Sequence, residues 1–501
     1  FGLHRLVNQT NGGSITVTNS RGFSVQNDTL LLTVMSITGY KGGQYGYLFN
    51  NAITGNVTIA DDISFGGGYS TNIRSNIITG NSSFTISGTN SFDEADGAGF
   101  GNRYNGNVSF TGAGPASMFI AYLDTLHCTG NVSINRTAAG LTSAFNAGAT
   151  INGNFTYTNN TAGETGFGNL ANKTSIGGTI TITANFITSN SFGMHRLVNQ
   201  TNGGSITITN SLGFSVQNDT LLLSEMNISG YTGGQYGYFY KNAITGNVTI
   251  ANDASYSGGY YTYLRSNIIN GNTSIANNGS NVLLDANQAG TGNKYLGNVT
   301  YIKTGAGISV GAGDVNEIGG NLTLNSTDGI GLGKIKLNGS TSGIIEQQST
   351  QPVIIAELSI DKTGGGTITL NDTVSISTST SFINGIINSS AGKELIFLNN
   401  ANYSGASNIS FVNGPCKKIG NDAFIFPVGK ENKIAPISIA APAFTTDAFR
   451  AEYFMSVPHD SGYDSTQKGP GIDHISLREY WLLNRTEGVS ATAVTLSWEA
   501  S

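Results

Sequence analysis

The chain has 501 residues and a formal net charge of −6; only 11% of it is Asp, Glu, Lys or Arg, while 69 residues are glycine. No Lys/Arg cluster supplies the basic stripe that a nucleic-acid partner needs, and no run of about 18 apolar residues offers a membrane-spanning helix. Val, Ile, Leu, Phe and Tyr alternate with Ser, Thr and Asn throughout, which excludes a disordered chain and suits many short strands joined by Gly- and Asn-rich turns.

The opening segment FGLHRLVNQTNGGSITVTNS returns from Phe192 as FGMHRLVNQTNGGSITITNS. The match continues at a constant offset of 191 through GGQYGY (Gly42–Tyr47, Gly233–Tyr238) and ITGNVTIA (Ile53–Ala60, Ile244–Ala251). A near-verbatim repeat of this length indicates duplication within a large array. Because Phe1 matches an internal position, the chain is expected to be an excerpt of a longer protein.

Inside the long repeat lies a shorter one: Gly, then Asn, Ser or Thr, an apolar residue, Thr or Ser, and another apolar residue. It starts at Gly13, Gly55, Gly106, Gly130, Gly153, Gly178, Gly204, Gly246, Gly297, Gly320 and Gly366. The alternation has the period of a strand, with Val57 and Ile59 on one face and Asn56 and Thr58 on the other. One such strand cannot bury its apolar face alone, but stacked units form a continuous core. A unit of about 23 residues accommodates three short strands and three bends. The expected fold is therefore all-β: a parallel β-helix (β-solenoid) over residues 1–384, of about sixteen rungs and about 75 Å in length at the spacing of adjacent strands. A chain of antiparallel sandwiches is the competing architecture.

Stacking also bears on the Asn-Val-Thr sequons. In-register units place Asn56, Asn107, Asn131, Asn154, Asn247, Asn272, Asn298 and Asn321 at one site of successive turns. Stacked Asn side chains bond along such a ladder, so the repeat generates sequons without any need for sugar.

From about Ser389 the signature stops, Pro and charge increase, and Trp481 and Trp498 occur. Segments such as ELIFL, FRAEYF, EYWLLNRT and AVTLSW read as strands of a β-sandwich-like module over residues 385–501, a module that stops within a strand pattern. The stretch FVNGPCKKIGNDAFIFPVGKENKIAPISIAAP (Phe411–Pro442), followed by FRAEYF and ISLREYWLLNRT, resembles a module of large secreted surface proteins of Bacteroidota, type 9 secretion substrates that include the gliding-motility adhesins. Cys416 stands where that module carries an apolar residue. The resemblance implies an extracellular, cell-surface location and partners among surface glycans or other surface proteins, with self-association a further expectation and the filament state left open. It also implies O-glycosylation at Asp-Thr followed by an apolar residue, hence at Thr29, Thr125, Thr220 and Thr373.

Chemistry-bearing groups are sparse. The acidic clusters are Asp61–Asp62 and DEADG (Asp93, Glu94, Asp96), and the second copy reads Leu284, Asp285, Ala286 and Asn287 where the first reads DEAD. Glycoside hydrolysis needs two carboxylates flanking a cleft, and calcium loops need alternating oxygen ligands; neither pattern is met. His4 and His195 occupy equivalent positions without metal-ligand spacing. Cys128 and Cys416 suggest two buried thiols, and the glycine-rich segments open no helix that would cradle phosphate. No cofactor is expected. Tyr40, Tyr45 and Tyr47, repeated as Tyr231, Tyr236 and Tyr238, are the candidate ligand-binding residues, because exposed rings on a rigid sheet stack on sugars or anchor proteins. The outward Thr/Ser column suggests an ice-binding array, but the second Thr of each pair is kept in few rungs. The expectation is a non-enzymatic structural and adhesive surface protein; a carbohydrate-active β-helix enzyme is the alternative.

Overall fold

The computed structural model describes residues 1–186, 190–464 and 466–496; Trp498 lies outside them. Apart from a single 3-10 turn at Pro458–Ser461 the described residues are all-β, built around a parallel β-solenoid of about 18 turns with rungs of roughly 23 residues. The chain divides into two compact units, Phe1–Gly271 with Asn278–Asn281, and Asn272–Asn277 with Val282–Ser501.

In the first unit each rung gives one strand to each of three parallel ladders. Gly46–Phe49, Ala52–Ile53 and Asn56–Gly66 form one rung, and Thr71–Arg74, Ile77–Ile78 and Ser82–Ile86 form the next. Leu48 pairs with Ile73, Ile53 with Ile78, and Ile59 with Phe84. All six are at most 1% exposed. Each apolar side chain therefore covers its counterpart one rung away, and burial of each contributes roughly 1.5–3 kcal/mol. The alternation follows directly, as Ile77, one residue before buried Ile78, is 46% exposed.

The glycine of the repeat signature is required by proximity. A Cβ on Gly80 would lie 2.4 Å from the carbonyl group of Gly55, one on Gly106 would lie 2.5 Å from the Gly80 oxygen, and one on Gly130 would lie 2.6 Å from the Gly106 oxygen. None of these glycines has a positive φ; the backbones of successive turns simply pass too closely for a side chain. The column breaks where Ile180 pairs with Gly204 and Thr183 with Thr207. That shift of two residues preserves the inward face, and Gly204 instead adopts φ 77°.

The signature asparagines form an outer ladder, but not by amide-to-amide bonding. The backbone N–H of Asn81 donates to Asn56 Oδ1 (2.9 Å), that of Asn107 to Asn81 Oδ1 (2.9 Å), and that of Asn131 to Asn107 Oδ1 (2.8 Å). In the second unit Asn298 and Asn321 bond likewise to Asn272 and Asn298. Each side chain thus satisfies the backbone of the following turn, at a strand spacing of about 4.8 Å that leaves no room for a glycan on every Asn.

The expected module boundary at residue 385 is corrected by the second unit. Parallel pairing continues past it, with Ile387 beside Val412, Leu395 beside Cys416, and Val412 beside Val428. The Gly-Asn signature disappears there because the bends change, with Gly385, Gly405 and Gly414 at positive φ, while the inward alternation persists. Among the described residues, pairing between named strands turns antiparallel only at the last rung, after isolated antiparallel bridges at Ser390–Lys393 and Ser407–Ser410. Ala448–Phe454 pairs with Cys416–Ile419 and then with Tyr480–Glu487, and a three-stranded sheet joins Phe424–Phe426, Ile437–Ile439 and Val494–Leu496. These strands cover the free edge that the final parallel strand would otherwise present. Arg450 anchors them to Glu394 at 2.8 Å, and Trp481 Nε1 donates to the Ala435 carbonyl at 2.7 Å.

Gly130→Ala forces two turns apart and is expected to cost about 1–3 kcal/mol. Gly166→Ala, whose Cβ meets nothing within 4 Å, serves as its control. Urea unfolding of the two variants checks this, and equal midpoints would refute the close-approach account.

Candidate functional site

The predicted tyrosines separate into two groups. Tyr40 and Tyr231 are 1% and 0% exposed, each with its hydroxyl bonded to a buried threonine, Thr71 at 2.8 Å and Thr262 at 3.0 Å. Their rings pack edge-on between Phe23 and Phe65, and between Phe214 and Tyr256. The ligand-binding expectation for Tyr40 and Tyr231 is therefore corrected. Both follow the strand of their rung and turn inward at a bend, where a large ring fills the corner of the solenoid.

Tyr45, Tyr47, Tyr236 and Tyr238 lie on the outer surface, with Tyr45 and Tyr236 42% and 38% exposed. Gly46 and Gly237 separate the two rings of each pair. A Cβ at either would meet the Phe23 or Phe214 ring of the preceding turn at 2.7 and 2.9 Å, so the glycine of QYGY lets the core ring fill the space beneath. Each pair carries a further aromatic neighbour, Tyr69 5.2 Å from Tyr45 and Tyr260 5.2 Å from Tyr236. The second copy adds Tyr263, stacked on Tyr238 at 5.4 Å and 12°, with the Arg265 guanidinium 4.2 Å from its centroid. At the place of Tyr263 the first copy has Asn72, beside Tyr47.

A buried ladder went unrecognised in the sequence. Asn51, Asn76 and Asn102 are at most 2% exposed. The N–H of Asp28 donates to Asn51 Oδ1, that of Asn51 to Asn76 Oδ1, and that of Asn76 to Asn102 Oδ1, at 2.8–3.1 Å. The preceding residues Asn27, Asn50 and Ser75 have φ of 57°, 53° and 54°, so the chain turns through a left-handed corner whose cost the inward amide offsets. The available signal was Asn four residues before the signature glycine, as in NAITG, NIITG and NRYNG.

The acidic residues serve the same framework. Asp28 and Asp219, at 2% and 1% exposure, head the ladder, with the N–H of Leu6 and of Leu197 donating to their Oδ1. Burial drives the Asp219 carboxyl well above its ordinary range. Asp61 accepts from the backbone N–H groups of Ser87 and Gly88, and its counterpart Asn252 accepts from Asn278 and Gly279 in the same way; Asp62 bonds Ser64 instead. In DEADG, Asp96 pairs with Arg74 on the surface, whereas Glu94 is fully buried and accepts from Asn102 Nδ2 (2.7 Å) and Ala121 N–H (2.7 Å). Its counterpart Asp285 accepts from Tyr295, Tyr301, Asn293 and Asn316 in the second unit. Among the described residues no group of three or more His, Cys, Asp or Glu could hold a metal ion.

Of the proposed glycosylation positions, Thr29 and Thr220 are exposed while Thr125 and Thr373 are half-buried. The Thr373 hydroxyl donates to the Gly392 carbonyl at 3.0 Å. Every Asp of these tripeptides is used structurally: Asp124 bonds the Thr125 N–H at 2.7 Å, and Asp372 bonds that of Gln347 at 2.8 Å. Both cysteines are free and buried.

Four open depressions of the described surface are lined by neutral side chains, apart from Arg21 in one of them. One trench of 380 Å³ follows the outer ladder past Asn56, Asn81, Asn107 and Asn131, with Thr58, Ser83, Ser109 and Ser133 beside them. Two others lie against the paired tyrosines. The Thr column is interrupted by Ser36, Ser83, Ser109 and Ser133 in register with Thr16 and Thr58. Compared with known proteins, the chain matches no family model, no curated protein and no solved structure.

Burial, opposed in part by its hydrogen bonds, pushes the Glu94 carboxyl from 4.5 up to about 7. Between those pH values the folded chain holds a proton that the unfolded chain has lost, so stability falls as pH rises from about 4.5 to about 7 and is level above. The span corresponds to about 3 kcal/mol. Glu94→Gln is expected to reduce the loss of stability between pH 5 and pH 7.5, measured by urea midpoints, by most of that amount, with Asp61 and Asp219 contributing the remainder; an unchanged slope would exclude Glu94 as a source.

Proposed function

We propose that this chain is a structural and adhesive segment of a large extracellular, cell-surface protein, without catalytic activity of its own. The observation that carries the reading is the fate of its reactive groups. The inward carboxylates are tied into ladders that hold successive turns together, whereas two tyrosine-lined depressions share only neutral side chains and display the same exposed tyrosine pair in both copies of the duplicated segment. A solenoid wall bonded rung to rung along its axis resists bending and presents its faces at fixed intervals, which suits a spacer carrying contacts. The resemblance of Phe411–Arg485 to modules of secreted Bacteroidota surface proteins supports the same location and, with it, type 9 secretion and a part in gliding or attachment. Glycosylation at Thr29 and Thr220 fits this setting, since both hydroxyls lie on the outside.

The chain is expected to release no reducing ends from a panel of neutral and acidic polysaccharides, and deletion of its gene is expected to reduce surface attachment or movement of the native cell. Reproducible cleavage of any polymer, or attachment unchanged by the deletion, would overturn the reading.

A further inference from the structure

Two depressions on one sheet of the first unit are built from the same residues 191 positions apart. The first is lined by Ser24, Gln26, Gln44, Tyr45 and Tyr47, and the second, of 230 Å³, by Ser215, Gln217, Gln235, Tyr236 and Tyr238. Phe23 and Phe214 form their floors. The polar groups are fixed in advance of any ligand. Gln217 Nε2 donates to Ser215 Oγ at 2.7 Å, and Ser215 Oγ lies 2.8 Å from His195 Nε2. Burial lowers the His195 pKa, and a hydrogen bond to the Gly168 backbone partly offsets that shift, which favours the neutral ring beside the serine hydroxyl. The first copy repeats the chain through Gln26, Ser24 and His4, at 2.6 and 3.3 Å. Gly22 and Gly213 are required for the rim, because a Cβ on either would lie 2.7 Å from that of Gln44 or Gln235. The HRLVNQ and GGQYGY motifs, remote in sequence, thus meet at one surface point in each copy.

We infer that each depression binds one ring of a neutral polysaccharide, and that a single polymer engages both. The chemistry selects this class. A tyrosine face accepts the apolar face of a sugar ring, while a serine hydroxyl and two glutamine amides offer donors and acceptors without charge. Arg21 lines the first depression, but Leu212 stands at its position in the second copy, so the shared set is neutral and has no preference for phosphate or uronate. Eight ladder steps separate Gly46–Phe49 from Gly237–Tyr240, or about 38 Å at the spacing of adjacent strands. Two weak sites at that distance on one wall gain affinity for a polymer by raising its effective concentration at the second site. His4 and His195 are positioning residues, acting through the serines.

This inference rests on the adhesive reading, and the test separates the two. The full chain is run in native gels containing mannan, laminarin, xylan or dextran, with alginate and polygalacturonate as the acidic set. At least one neutral polymer is expected to retard it. Tyr47→Ala or Tyr238→Ala should each weaken that binding about tenfold, the double variant should abolish it, and Tyr122→Ala should leave it unchanged. A hexasaccharide of the same polymer should compete at least tenfold less well than the polymer by weight. Gln235→Ala, at an exposed position, gives a second variant should a tyrosine variant lose its native circular dichroism. Retardation by acidic polymers alone, or equal binding by the double variant, would overturn the inference. If the native cell carrying the double variant still attaches normally, the site fails while the adhesive reading stands.

Discussion

Successive turns of this protein pass within hydrogen-bonding distance of one another along their whole length, and nearly every other feature answers to that constraint. At one corner the backbones approach so closely that only glycine fits, as Gly80, Gly106 and Gly130 show. At the next position asparagine caps the N–H of the following turn from outside. At the neighbouring corner, four residues before the glycine, asparagine does so from inside, in the reverse sense, for the preceding turn. The two ladders act in opposite axial directions, the outer one at exposed positions and the inner one out of reach of water. Buried polar groups left unpaired cost about 1–3 kcal/mol each, so the inner ladder is a structural requirement of the wall.

The same constraint explains where acid groups appear. A carboxylate inside the wall is tolerable when amides and hydroxyls converge on it or when it takes up a proton. Glu94 and Asp285 receive such hydrogen bonds at equivalent places in the two copies, with different partners, and burial still raises both carboxyls above their ordinary range. Asp61 and Asn252 show that the capping task itself is indifferent to charge, since acid and amide accept the same two backbone N–H groups. Clusters such as DEADG, which read in the sequence as possible catalytic or calcium-binding acids, are dispersed by the alternation of the strand.

The contacts proposed for this chain therefore lie on the outer face. There the paired tyrosines stand on strands whose positions are set by the core rings beneath them, Phe23 and Phe214. The outward position of Tyr45 and Tyr47 and the inward position of Tyr40 follow from one bend between them, and that bend decides which rings reach the surface.

The sequence by itself determined the all-β class, the parallel solenoid, the rung length, and the inward placing of Val57 and Ile59, because a period of two and a repeat near 23 residues leave few ways to bury an apolar face. It also exposed the duplication. The tertiary structure alone decided the rest. Asn76 and Asn102 are core residues although asparagine is usually exposed, since their partners lie one turn away and about 25 positions distant. Parallel pairing past residue 384 survived a change of bend that erased the signature but not the alternation. Residues such as Gln217, Ser215 and His195 form one chain of hydrogen bonds only because separate turns stack in register. Pattern along a strand is local and can be read from the chain, whereas contacts between turns depend on register, which is fixed only when the backbones have met.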